Sequence, residues 1–397
     1  MLTLFCHANL VLRDRIQYGF AIVEGAHILQ IGAGDGWPAL PYSRTLDLGG
    51  RYLSPGFVEL HSHGAGGSDF MDGTPEAFAT ACRTHLLHGT TTLLPTTLAA
   101  TREEILRSID SFRAAKEALA GKSLHLHGLH MEGPYLSKAQ CGAIDPAYIR
   151  PPQPEEYEYF LSYGRGAIAR WTLAVELDGA ARFAERLLEE GILPSVGHSN
   201  ATYAQVLDAF RHGVTHTTHL YSAMSTIVRR GGFRFSGVLE SAFCIPEMTV
   251  EIIADGCHLP VELLEMVCRV KGVDRVALTC DSMRCAGQDV QESVLGSLEN
   301  GQRVIIEDDV AKLPDRSAFA GSIATDDRLI RVMYRSAGVP LYDAVRMMTE
   351  TPASIIGIAG SKGSLAAGKD ADLVCFDENI DVSGVMVGGI GLVGLFV

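Results

Sequence analysis

Positive charge is scarce in this sequence. Lysine and arginine together number 33 among 397 residues, against 47 aspartates and glutamates, a net charge of −14. That balance argues against nucleic acid or an anionic membrane as partner, since both attract clusters of basic side chains. A small anionic substrate stays compatible, because a few local cations outweigh a global charge at short range. Long apolar runs are missing as well. The opening MLTLFCHANLVLRDR mixes apolar and charged residues, so neither a signal peptide nor a membrane span is expected there. The nine cysteines contain no C-x-x-C pair, which speaks against a disulfide framework and fits the cytosol. Most of them are expected to be small buried side chains. Low-complexity linkers and repeats of solenoid period are absent too. What remains is globular: 47% hydrophobic, 20% charged, and long enough for one large domain plus a smaller one.

The first fifty residues read as short strands and turns (LTLFCHANLVL, YGFAIVEGAHILQIGAG, YSRTLDLGGRYLSPG), with nothing helical. From Pro55 the pattern changes. Apolar runs at 57–63, 90–96, 124–132, 170–177, 192–199, 214–220, 249–256 and 275–282 read as strands. Amphipathic helices lie between them: PEAFATACRTHLLHG, REEILRSIDSFRAAKEALAG, GAARFAERLLEEG, YAQVLDAFRHG and PVELLEMVCRVKG. In the third, Phe183, Ala184, Leu187 and Leu188 fall on one predicted face. Eight strands with crossovers predict an α/β fold, a (β/α)8 TIM-type barrel. A polar hairpin, RVIIEDDVAKLP, and two helices follow the eighth strand, and the end returns to strands. The expected division is a barrel at 54–358 and a small β-sandwich domain from both chain ends, 1–53 and 359–397.

In such a barrel, catalytic groups gather at the C-terminal strand ends. Those ends carry His61 and His63, Glu132, His198, His219 and Asp281. Imidazoles and carboxylates suit a divalent transition metal. The H-x-H spacing sends both rings of strand one to the same side, because strand side chains alternate with period two. Each residue alone has a plainer role, such as a helix cap for Asp281 or a solvated loop carboxylate for Glu132. Together, at one end of several strands, they point to a metal site. The other histidines are expected to do less. His125 and His127 read as internal hydrogen-bonding residues, and His130 as a group supporting the ligands. His85, His88 and His212 read as surface or capping residues, and His216 as pointing away from the site.

The ordered set PGFVELHSHG, GTTTLLPT, HMEGPYLS, GHSNATY, THLYSAM, ADGCH and LTCDSM resembles the N-acetylglucosamine-6-phosphate deacetylases of the amidohydrolase superfamily. The resemblance runs from about Ser54 to GKDADLV, nearly the whole chain. It implies a metal-dependent barrel with a small β-sandwich and a phosphorylated amino sugar as substrate. It implies one or two divalent ions, zinc first, with iron or manganese as alternatives, and a homodimer. Glu132, His198 and His219 match the primary metal ligands. His61 and His63 match a pair that holds a second ion in some members, with Glu132 bridging. Asp281 matches the catalytic acid/base. Arg230 and His258 match groups that hold the sugar phosphate, helped by backbone around Ser222 and Ala223.

Two departures from the family pattern stand out. Ile144 occupies the position of a histidine that helps polarise the substrate carbonyl, and Ser222 replaces an asparagine. The first implies polarisation by metal alone or a different acyl group; the second implies an altered phosphate pocket. Rival readings are other amide hydrolases of the superfamily, deaminases, and a non-catalytic binding barrel. A carbamylated-lysine hydrolase needs a lysine at the end of strand four, and RWTLAVEL has none. A deaminase needs H-x-x-E after strand five, and GHSNA lacks it. A binding barrel would have no use for unpaired buried charges, which cost free energy.

Overall fold

The computed structural model describes residues 1–397. Eight parallel strand positions form a barrel: Phe57–Ser62, Thr90–Thr97, a third strand in two pieces (His125–Leu126 and Leu129–Glu132), Ile168–Leu173, Leu193–Val196, His216–Thr217, Thr249–Ile253 and Val276–Thr279. The eighth closes onto the first just past its own end. The Asp281 amide donates to the His61 carbonyl at 3.0 Å, and the His63 amide to that of Ser282 at 2.8 Å. Several strands are shorter than the apolar runs suggested, because the residues beyond them already turn into loops that carry the chemistry.

Helices cover the outside. Arg102–Leu119 begins at a capping box in which Thr101 and Glu104 satisfy each other's amides. On Ala180–Glu189, Phe183, Ala184 and Leu187 are buried as the spacing predicts, but Leu188 is exposed. Phe183 meets Trp171 edge-on, and Trp171 stacks on Tyr135. Trp171 and Leu173 thus face the helices, while the alternate residues Arg170 and Thr172 face inward. All nine cysteines are free, five of them buried.

The barrel lumen is unusually polar for this architecture. Arg170, fully buried, uses all five of its donors. They go to Ser195, Thr218, the Leu60 carbonyl and, in two bonds of 2.6 and 3.0 Å, the Glu251 carboxylate. The site rests on this closed network.

Both chain ends meet in one eight-stranded sheet, ordered Ile390–Gly394, Val382–Val387, Leu373–Phe376, Tyr52–Pro55, Leu2–Val11, Ile16–Glu24 and His27–Ala33, with Arg44–Asp47 also on Leu2–Val11. It folds over in the manner of a sandwich. Phe5 packs edge-on against Phe396, and Arg44 donates to the Phe396 and Val397 carbonyls. Its core is separate from that of the barrel. No helix is long and apolar enough to cross a membrane.

Candidate active site

At the C-terminal end of the barrel lies a cavity of about 290 Å³ with His63, Glu132, His198, His219 and Asp281 in its lining. His61 sits just behind, fully buried. Strand geometry brings His61 and His63 together as the alternation predicted, their Nε2 atoms 3.3 Å apart. Glu132 ends the third strand; its Oε1 is 3.2 Å from His198 Nε2 and 3.0 Å from His219 Nε2. Its Oε2 is 3.2 Å from His63 Nε2, and Asp281 Oδ1 is 3.3 Å from the same nitrogen. Two sets of three, Glu132/His198/His219 and His61/His63/Asp281, each have their ligand atoms within 4.8 Å of one another.

Several of these side chains are delivered by strained backbone. His198, His219 and Asp281 have φ of 47°, 27° and 45°, in the left-handed region that costs a non-glycine residue free energy. Gly197, just before His198, sits between neighbouring strands. A Cβ there would lie 2.7 Å from Thr172 Cγ2 and from Thr218 Cβ.

The donor set has a polarity that asks for a cation. His198 Nδ1 lies 2.8 Å from the Gln140 carbonyl, which can only accept, so Nδ1 carries the proton. Neutral His198 therefore turns a bare Nε2 toward the Glu132 carboxylate, lone pair against lone pair. His61 repeats the pattern: Nδ1 donates to Glu251 at 3.0 Å, and Nε2 faces His63, Glu132 and Asp281. Such a group is stable only with protons or a metal ion between its members. Without metal the protons are held hard. Burial pushes His63 down, but the Asp281 and Glu132 carboxylates outweigh it and raise its pKa to about 9. Burial pushes Glu132 and Asp281 up, and the surrounding histidines still hold both below the usual carboxylate range. The residues fit a divalent ion of the imidazole- and carboxylate-binding kind.

The remaining expectations divide. Ile144, Ser222, Ala223 and His258 all line the cavity. His258 is fixed by Asp255, which accepts from its Nδ1 and its backbone amide, both at 2.8 Å. Arg230 does not join them. It stands exposed on a hairpin, Val228–Arg230 with Phe233–Phe235, and is not part of the cavity wall. His130 supports the site as expected, its ring edge-on to His61 and hydrogen-bonded with Thr96 and Thr172. His216 points away from the cluster, to Thr249 and Glu251. His88 and His212 follow the ends of their helices.

Two readings need correction. His85 is not a surface residue; it is fully buried, with Nε2 2.8 Å from Ser62 Oγ. The buried positions Phe78, Ala81, Cys82 and His85 follow the helical period, a signal the sequence did contain. His125 and His127 are not internal hydrogen-bonding groups. His125 is exposed and His127 half-buried, and their rings pack on each other instead. Sequence reasoning missed Asp255, Arg170 and Glu251. Only Asp255 had a signal, its fixed spacing from His258 within ADGCH.

Comparison with known proteins agrees with this geometry. The sequence profile described as the amidohydrolase family matches residues 52–390. N-acetylglucosamine-6-phosphate deacetylase of Lysinibacillus sphaericus is 32% identical over 341 residues, 84% of each chain. The Haemophilus influenzae enzyme of the same name is 33% identical, over 87% of this chain and 88% of its own. The crystal structure of N-acetylglucosamine-6-phosphate deacetylase from Pasteurella multocida superposes with a TM-score of 0.90 at 29% identity, covering 99% of this chain and 100% of that one. A mutant N-acetyl-D-glucosamine-6-phosphate deacetylase from Mycobacterium smegmatis, in complex with N-acetyl-D-glucosamine-6-phosphate, gives 0.88 at 31% identity over 99% of both chains.

Proposed function

The chain belongs to the amidohydrolase family, and from that premise we propose that it hydrolyses the amide of an N-acylated amino sugar 6-phosphate, N-acetylglucosamine 6-phosphate or a near relative. The observation that carries the reading is the carboxylate–imidazole cluster on the floor of a cavity with His258 on its wall. Glu132, His198 and His219 would hold one divalent ion, and His61 and His63 beside them a second. Such an ion supplies Lewis acidity, acidifying a water and polarising a carbonyl.

The chain's own residues do the rest. Asp281 is the more open of the two carboxylates, its side chain 11% exposed against 3% for Glu132. Its carboxylate accepts a proton from the attacking water and returns it to the departing amine nitrogen. The neighbouring histidines keep it ionised for the first of these steps. Asp255 holds the His258 ring through Nδ1, and in the imidazolium form the remaining Nε2–H donates to the phosphate end of the substrate. The backbone at Ser222 and Ala223 lies on the same wall. Binding the remote phosphate there orients the amide over the cluster.

A second copy of the chain suits the hairpin that carries Arg230, where Ile227, Val228, Phe233 and Phe235 are all exposed. The homodimer remains part of the proposal on that ground, and sedimentation would check it. The function itself is tested by acetate release from N-acetylglucosamine 6-phosphate and its galactosamine epimer, each with and without phosphate. Turnover that needs the 6-phosphate is the expected result. Equal turnover of the unphosphorylated sugars would remove the role given to His258.

A further inference from the structure

Strand seven, Thr249–Ile253, runs out into the loop Asp255-Gly256-Cys257-His258. Asp255 fixes the His258 ring from within that loop. The loop is also held from outside. Arg328, on the helix Asp326–Arg331, donates to the Asp255 carbonyl from Nε at 3.1 Å and from Nη2 at 2.7 Å. The same Nη2 lies 2.8 Å from the Asp309 carboxylate. A guanidinium serves two acceptors in this way because its donors form a rigid planar fork.

Asp309 belongs to the hairpin inserted after strand eight, Gln302–Glu307 paired with Val310–Lys312. Glu307 pairs with Val310, so Asp308 and Asp309 alone make the turn, with φ of 53° and 65°. Left-handed backbone at both central residues is the tight two-residue turn that strand twist favours. The Cys257 thiol points at its carbonyls, 3.6 Å from that of Asp308 and 3.7 Å from that of Asp309. Beyond the hairpin the chain comes back along it, the Ala320 amide donating to the Ala311 carbonyl at 2.9 Å. That return sets the Phe319 ring against the His258 ring, edge-on with centroids 4.9 Å apart. A thiol is a weak donor, so Arg328 supplies the strong bonds between the loop and the turn.

We propose that Arg328 is a positioning residue for phosphate recognition: by tying the His258 loop to the Asp308–Asp309 turn it fixes where the His258 ring stands, and so sets the affinity for the 6-phosphate. The proposal rests on the hydrolase reading above. Arg328 does not line the cavity, so its effect on substrate passes through His258.

The experiment measures kcat and KM for N-acetylglucosamine 6-phosphate in metal-loaded wild type, Arg328→Met, Arg328→Lys and Asp309→Asn, and repeats Arg328→Met in a His258→Ala background. Arg328→Met should raise KM about tenfold with kcat nearly unchanged. Arg328→Lys keeps the charge without the fork and should recover part of the loss. Asp309 is exposed, so Asp309→Asn folds even if Arg328→Met does not, and its sign separates position from charge. Removing an anion near an anionic substrate lowers KM by electrostatics alone, whereas loosening the loop raises it. With His258 already gone, Arg328→Met should add almost nothing. An unchanged KM in Arg328→Met, a lower KM in Asp309→Asn, or a penalty that multiplies with that of His258→Ala overturns the positioning role and leaves the hydrolase reading standing. If the wild type releases no acetate from this substrate, the hydrolase reading fails and takes the positioning role with it.

Discussion

Glu251 and Glu132 are both buried carboxylates ringed by histidines, and they differ in what neutralises them. Glu251, in the lumen, accepts two bonds from Arg170, one from the His61 ring and one from the His219 amide. Burial pushes its carboxyl up, but the Arg170 guanidinium, together with the His216 and His61 rings, outweighs burial and holds it well below the ordinary range. Glu132, one layer higher, is in contact with no arginine or lysine. The nitrogens of His61, His63, His198 and His219 surround it instead. Inside the barrel the chain provides its own cation; at the mouth it leaves a position for one from solution. A fixed cation makes support, and an exchangeable one makes a site.

The largest expected effect separates these two carboxylates. Arg170→Met leaves Glu251 buried and uncompensated, and should cost about 3–5 kcal/mol of unfolding free energy. Glu132→Gln, measured on metal-free protein, should cost less, because the histidines that answer its charge can give up their protons to solvent when the carboxylate is removed, whereas Arg170 cannot shed its charge. Urea unfolding of both variants reads the difference, and equal losses would erase the distinction. Next comes Asp281→Asn, which keeps the shape and removes the base. Turnover should fall a hundredfold or more, about 2.7 kcal/mol in barrier, with bound metal retained. Near-normal turnover would assign proton transfer to another group.

The smallest effect concerns His85, a buried imidazole outside both networks. Burial, with a lesser push from His88, lowers its pKa from 6.5 to about 3. Below pH 6.5 the unfolded chain takes up a proton that the folded chain refuses. Stability is therefore complete above that pH and lost as pH falls toward 3, by about 1.4 kcal/mol per unit at most. His85→Gln should flatten the pH dependence of the urea midpoint between about pH 7 and about pH 5.5. A slope identical to wild type would show that His85 is protonated in the fold.

How far this contrast could be read from sequence depended on the range of the interactions. His61 and His63 were legible because one strand fixes their relation. Glu132, His198, His219 and Asp281 were legible because each stands at the end of an apolar run, where a barrel brings them together. Arg170 and Glu251 were not. They lie 81 residues apart, and each reads locally as a charged residue at a strand edge. Only closure of the barrel makes them partners. Leu188 failed for a different reason. An apolar stripe has no sharp edge, and its last member faces solvent at 45% exposure. Arg230 was placed by resemblance alone, and its exposed hairpin has no signature in the local pattern.

The most direct test of the account is metal content measured alongside turnover. Wild-type protein prepared with divalent metal should carry it at a stoichiometry above one, with two as the full value implied by the two donor sets. A chelator should remove metal and acetate release together, and adding metal should restore both. Glu132→Gln should fold and bind little or none. Undiminished hydrolysis by metal-free wild type, or full metal loading of Glu132→Gln, would contradict the claim that this cluster is built around a cation from solution.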